Sequence, residues 1–530
     1  MMPSFEVVPY SIDELRKTLT VYSQASEEAV ERSLHYFYAR TYFSYIRART
    51  MLVESSYVDR DYLEDYAGYY VLCFKKYERH CTRIHFFRNE FSKNDFQKLI
   101  AGKPGRLSLQ DLQNKENYLG FTVIKNLPKT IIGRTCLKTY PKQSHSHGTR
   151  CYPITRDYEA NLFGIQLKVN SIAFQEQDSV VAACATSALW SAFQGTGKLF
   201  QHQIPSPFEI TRAATRQIPL ETRTFPSSGL SIPQMADAVR HVGLEPYLIS
   251  PENEFLFKAS IYAYLKGKIP VLFGIFLHDL SDESLYTFDQ ENTSEIQGHA
   301  VTITGYHLSS GLPVSYPESP FSCRAFRIDK IYVHDDQIGP FARMGIEIGS
   351  IDEIPWTLST SWMGGDGRIG NVKAVPWILM VPLYHKIRIS FYSVYSVVSS
   401  FQERVIEPLR ATRVISHADD MEWDIYLTTV NRFKTEIFAS DKYSEKTRLD
   451  VLLRSMPRFL WRATARCRED VVLDLVFDAT DIEQDQFLCH AIITNRELQE
   501  TLGSISADPS LLGISKTDPE WKILWWFSGW

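Results

Sequence analysis

The chain has 530 residues, 44% of them hydrophobic and 22% charged, with a formal net charge of −5. That length implies roughly two to four domains, and aromatics at 13% exclude an extended disordered chain. So small a negative charge excludes a reader of nucleic acid that works by bulk electrostatics.

The N-terminus lacks a basic segment followed by an apolar run, which argues against a signal peptide. The most apolar stretches, residues 375–383 and 391–401, fall far short of the roughly 20 residues needed to cross a bilayer. Eight scattered cysteines form no disulfide framework, so a cytoplasmic protein with reduced thiols is expected.

Three regions are expected: an aromatic-rich N-terminal α+β region (1–161), a central domain (162–348) and a C-terminal α+β region (349–530). In the first, residues 26–51 read as one helix capped by Ser26, with Glu27 and Glu28 in its first turn. Runs at 69–74, 82–87, 121–124 and 130–135 read as strands, and 142–150 as a loop. The central region opens with an alternating strand at 163–169. A helix beginning at the polar-to-apolar change around Cys184 follows, then a helix between Ser231 and Gly243 and another over 255–266. Residues 269–276, 300–306 and 326–333 read as strands. In the third region 377–384 reads as a strand, and Ile387, Phe391, Val394, Val398, Phe401 and Val405 trace an amphipathic helix ended by Pro408. Strands at 424–430 and 471–477 flank a helix at 444–455, and ILWWFSGW (523–530) reads as a strand docked into the core.

The chemistry centres on Cys184 in QEQDSVVAACATSALWSAFQ (175–194). A thiol at a helix N-terminus meets the positive end of the helix dipole, which favours the nucleophilic thiolate. GHAVTITGY supplies His299 as a base, and IYVHDDQIGPF supplies Asp335 and Asp336 as orienters of that base. Gln177 or Gln175 could donate to an oxyanion beside the Cys184 backbone N–H. Taken singly, Cys184 between alanines reads as a small buried hydrophobe, His299 as a core histidine, and the two aspartates as turn residues. Their joint order favours a site.

The stretch 175–339 resembles the papain-like cysteine peptidases, closest to the branch of double-glycine leader peptidases that process bacteriocins. The resemblance rests on Gln177, Cys184, GLSIPQM with VGLEPYLI, GKIPVLFGI, HAVTITGY and VHDDQIG. It implies an α+β fold with the Cys-bearing helix packed on an antiparallel sheet, over about residues 162–348. It also implies a Cys184–His299–Asp335 triad, with Gln177 at the oxyanion. The family's Gln stands closer to its Cys than Gln177 or Gln175 does, and Ala185 replaces the usual Gly. Asp335-Asp336 stands where the family has Asp-Pro, and Val333-His334-Asp335 keeps its spacing.

The expected function is a thiol hydrolase cleaving a peptide or isopeptide bond in a peptide or protein substrate. Flanking regions would gate it, with a regulatory protein partner as trigger, for example in stress or phage defence. The alternatives are an idle domain serving as a recognition module, and an acyltransferase using the same triad. No cofactor, metal, nucleic acid or membrane span is expected. Cys136, His145, His147 and Cys151 are of zinc-ligand type, but their spacing reads as a polar surface loop. His80 and His85, among Arg and Lys residues, read as a solvated face.

Overall fold

The computed structural model describes residues 4–127, 130–144, 148–178, 180–216, 224–227, 229–280, 297–351, 354–364, 368–411, 421–468, 470–483 and 488–527. The fold is mixed α+β with several sheets. The chain divides into two compact units, each made of three segments. Met1–Pro251, Ile269–His307 and Asp329–Pro382 form the first; Glu252–Lys268, Leu308–Ile328 and Leu383–Trp530 form the second.

The first unit begins with a five-stranded antiparallel sheet in the order Phe5–Pro9, Thr50–Tyr57, Cys81–Phe87, Tyr118–Ile124, Ile132–Leu137. Cys81–Phe87 and Tyr118–Ile124 are buried at every residue, so both faces of the sheet centre are covered. The single helix expected over 26–51 is two helices and a strand. Glu27–Arg32 ends at Ser33, whose extended backbone (φ −68°, ψ 129°) also starts Leu34–Ile46. Arg47 (φ 62°) then ends that helix, and the Arg49 N–H donates to the Phe87 carbonyl, drawing Thr50 into the sheet. Sheet pairing overrides local helix preference here.

Other local expectations change for similar reasons. Residues 69–74 form no strand; Tyr70–Leu72 is a helical turn with Tyr70 buried and Val71 and Leu72 in solvent. The strand expected at 163–169 is the second arm of a hairpin, Arg156–Leu162 paired with Ile165–Ser171, turning at Phe163 (φ 47°) and Gly164 (φ 90°). The 142–150 loop contains two short paired strands, Gln143–Ser144 and Gly148–Cys151. Of the zinc-type residues, Cys136 is buried in the Ile132–Leu137 strand, while His145 and His147 lie outside the described residues. His85 is not on a solvated face. It is fully buried, bonded to the Tyr118 hydroxyl at 2.9 Å, and burial pushes its imidazole down to about 4.

The remainder of this unit sets a buried helix against a barrel. Cys184–Phe200 is buried at every position from Ala185 to Thr196, where small, apolar and hydroxyl side chains let it be covered on all sides. Val271–Asp279 pairs on one side with Gln297–Ser309 and on the other with Val372–Tyr384. Ile328–Asp335, Gly339–Ile351 and Ile354–Ser359 complete the circuit, closing a six-stranded barrel. Closure removes the exposed edges of an open sheet. The Thr302 hydroxyl donates to the Ala188 carbonyl at 2.6 Å and fixes the helix to the barrel wall. Ile232–His241 starts with the Ser231/Gln234 capping box and is followed by Gly243 (φ 82°), as its end signals predict.

The second unit centres on the antiparallel sheet Met421–Thr429, Phe459–Cys467, Asp470–Asp478, Leu488–Ile493. Glu254–Lys266 packs on it, with the Lys266 ammonium 2.7 Å from the buried Asp424 carboxylate. Pro408 does not end the helix before it. Phe391–Phe401 runs through a π turn, Gln402–Ile406, into Glu407–Ala411, because the wider turn absorbs the N–H that proline lacks. The C-terminus is a helix, Pro519–Trp525, that buries Ile523, Leu524 and the following Phe527; residues 528–530 lie outside the described residues. Among the described residues no helix is long and apolar enough to cross a membrane.

Candidate active site

The approach to Cys184 is a tight turn built by one carboxylate. Asp178 is buried, accepts the Val180 and Val181 N–H groups at 2.8 and 3.2 Å, and its own N–H donates to the Ala182 carbonyl at 2.7 Å. The Tyr70 hydroxyl donates to the same carboxylate at 2.6 Å. The chain then enters the helix through Ala183, whose backbone is extended (φ −76°, ψ 176°) and which has no side-chain cap. Cys184 is the first helical residue and half-buried. Uncapped first-turn N–H groups leave the positive helix end open beside the thiol.

His299 comes from the barrel strand Gln297–Ser309, opposite Ile275, and is buried. Its Nε2–H donates to Asp335 Oδ1 at 3.1 Å, and the Cys184 thiol lies near enough to the ring to help hold its charge. With Nε2 committed to Asp335, Nδ1 is the nitrogen left for the thiol. Asp335 ends the Ile328–Asp335 strand and is fully buried. The Gln337 N–H also donates to its Oδ1 at 2.9 Å, and the Trp362 indole N–H to its Oδ2 at 2.9 Å. Every N–H aimed at it stabilises the charged form.

Two opposed effects set the charges. Burial alone would push the His299 imidazole down. The Asp335 charge and hydrogen bond, with smaller help from Cys184 and Asp336, raise it well above its ordinary value. Burial alone would raise the Asp335 carboxyl, but the His299 charge and hydrogen bond, with Gln337 and Trp362, hold it below the usual range. The pair is therefore imidazolium and carboxylate. Asp336 differs. Burial, with Asp335 beside it, pushes it up to about 7 against the pull of His299 and His35. Its Oδ1 lies 3.8 Å from His299 Nε2, and neither oxygen accepts a hydrogen bond among the described residues. Asp335 is thus the orienter by geometry, and Asp336 a neighbour.

The turn after Asp335 is held by the Leu34–Ile46 helix. His35 Nδ1–H donates to the Ile338 carbonyl at 3.0 Å, and the Tyr38 hydroxyl to the Pro340 carbonyl at 2.9 Å. Gly339 (φ 151°) lies directly under Tyr38, where an added Cβ would come within 2.6 Å of the ring. His35 also faces Glu176 across 3.5 Å, and Glu176 accepts the Ile131 and Ile132 N–H groups at 2.9 and 2.8 Å. One helix thus touches both the segment before Cys184 and the turn after Asp335.

The expected oxyanion donors separate. Gln177 is exposed, whereas Gln175 is buried and its Nε2 has no hydrogen-bond partner among the described residues. Sequence reasoning missed Trp362, His35, Tyr38, Glu176 and Asp178. Of these only the Gly339-Pro340 step beneath Tyr38 left a signal, as a turn of special geometry. His299, Asp335 and Asp336 place possible ligand atoms within 4.8 Å of one another. Both Asp335 oxygens already accept N–H groups and His299 Nε2 is given to Asp335, an arrangement that orients a base and leaves little for a cation.

The geometry suits acyl transfer: a thiol at a helix N-terminus, an imidazole beside it, and a carboxylate bonded to that imidazole. No family model and no curated protein matches this chain.

Proposed function

We propose that this chain is a papain-like thiol hydrolase that cleaves a peptide or isopeptide bond. The observation that carries the reading is the His299–Asp335 pair beside the Cys184 thiol, with that thiol at the N-terminus of a helix. With the thiol proton already resting on His299 as imidazolium, the Cys184 thiolate attacks the carbonyl carbon and the carbonyl π pair moves onto oxygen. Collapse of that oxyanion breaks the C–N bond, and His299 returns the proton to the leaving amine. A water, deprotonated by His299, then attacks the thioester, releasing the acid and the thiol. An amine in place of water would give transfer instead. The eight cysteines are all free, which supports a reducing, cytoplasmic setting.

Incubation with a panel of peptidyl and isopeptidyl thiol-directed acyl probes should place one acyl adduct on the peptide bearing Cys184. Adducts spread over several cysteines, or none, would end the hydrolase reading. The exposed Gln177 favours a second reading, an idle recognition domain, unless Gln175 supplies the donor. Removing one oxyanion donor costs about 10²-fold in acylation rate. Gln175→Ala should lose that much, and Gln177→Ala no more than a factor of a few. The reverse pattern would return the role to Gln177, and no effect from either would favour the idle domain.

A further inference from the structure

The segment after the Tyr70–Leu72 turn is pinned at both ends and apolar at its tip. Tyr70 is buried, with its hydroxyl on Asp178; at the far end the Tyr62 hydroxyl donates to the Glu78 carbonyl at 2.8 Å. Tyr70 also packs against Tyr62 and Tyr77, at 6.5 and 5.2 Å between ring centroids. Between these anchors Val71, Leu72 and Phe74 stand 52%, 82% and 107% exposed. Three apolar side chains this open within four residues lie outside the normal scatter of single surface hydrophobes.

Charge identifies the occupant. Lys75, Lys76 and Arg79 are exposed beside the tip, three cations against one carboxylate, Glu78, in a chain whose overall charge is −5. Apolar side chains at the tip with flexible cations behind them match the depth profile of an anionic bilayer surface. There the rings and branched chains enter the acyl boundary while ammonium groups stay among the phosphates. A folded protein partner needs about 800 Å² from each side, and three side chains on a narrow turn fall well short of it. The anchors matter as well, because a loop already held in shape loses little conformational freedom on docking.

We infer that the Val71–Arg79 loop is a docking surface for anionic phospholipid membranes. It does not depend on the thiol chemistry. Because Tyr70 bonds the carboxylate that shapes the approach to Cys184, the docked loop and the cysteine segment share a hydrogen bond.

Co-sedimentation of the full-length chain with vesicles tests this. Binding to an equimolar phosphatidylcholine–phosphatidylserine mixture should exceed binding to phosphatidylcholine alone by about tenfold or more, and should weaken with added salt. Leu72→Ser with Phe74→Ser, and separately Lys75→Glu with Lys76→Glu, should each reduce it by about tenfold or more. Both sites are on the surface, so thermal melting of the variants should match the parent. Equal binding to the two vesicle types, or full binding by either variant, overturns the inference. If the parent ignores both vesicles but forms a dimer that Leu72→Ser with Phe74→Ser disperses, the patch belongs to a second copy and the lipid assignment fails.

Discussion

Cys184→Ala should abolish acyl-probe labelling and leave the melting transition within a few degrees of the parent. The first half follows from chemistry, since the alanine side chain has no nucleophile and the His299 base has nothing to deprotonate. The second follows from position. Cys184 is half-buried at the first residue of its helix, where alanine is the best helix former and little packing is lost. Four of the other thiols are poor nucleophiles for a physical reason. Burial pushes Cys136 and Cys489 up to about 12, and raises Cys81 and Cys323 well above the ordinary thiol range, which keeps these sulfurs protonated and unreactive. Half-buried Cys73 and Cys151 serve as internal controls, expected to react with a simple alkylating agent and not with the acyl probe. Labelling of the variant at the parent's rate would remove Cys184 from the mechanism.

Asp335→Ala should reduce acylation by about 10²- to 10⁴-fold, because His299 loses the partner that fixes its ring and stabilises its charge. It also destabilises the fold by about 3–5 kcal/mol, the usual cost of leaving one member of a buried ion pair alone. The Trp362 and Gln337 N–H groups lose their acceptor as well. The stability gap depends on pH in a direction that the two shifts dictate. His299 is raised in the fold, so its contribution is complete below the ordinary imidazole value of 6.5 and disappears as pH rises through the elevated one. Asp335 is lowered, so its contribution is complete above 3.8 and disappears as pH falls through the depressed value. The gap between parent and variant is therefore widest between 3.8 and 6.5 and narrows on the alkaline side. Denaturant titrations at several pH values would show it. A gap that stays constant from about pH 5 to about pH 9 would mean that no such ion pair forms.

Elements with strong end signals were legible in the sequence. The Ile232–His241 helix carries Ser231 and Gln234 at one end and Gly243 at the other, and the Glu254–Lys266 helix stops at Gly267. Where the prediction failed, a long-range partner outweighed local preference. Thr50 joins a sheet whose other strands lie far along the chain, and Tyr70 is turned inward by Asp178, 108 residues away. Pro408 lies inside a helix because a π turn precedes it, a backbone adjustment with no signature in residue type.

The site divides in the same way. Residue type and order singled out Cys184, His299 and the Asp335-Asp336 pair, because a candidate nucleophile, base and orienter in that order each stand next to an element boundary that periodicity can locate. Sequence left open which aspartate orients, which glutamine is buried, and what holds the turn. Only the closed barrel decided these. Adjacent side chains on a strand or turn point in different directions, so Asp335 receives His299, Gln337 and Trp362 while Asp336, one residue on, receives no donor among the described residues. Trp362, Tyr38 and His35 reach the site from 27 to 303 residues away along the chain. Contacts at such separations follow from how strands close and helices pack, and no local pattern of residues encodes them.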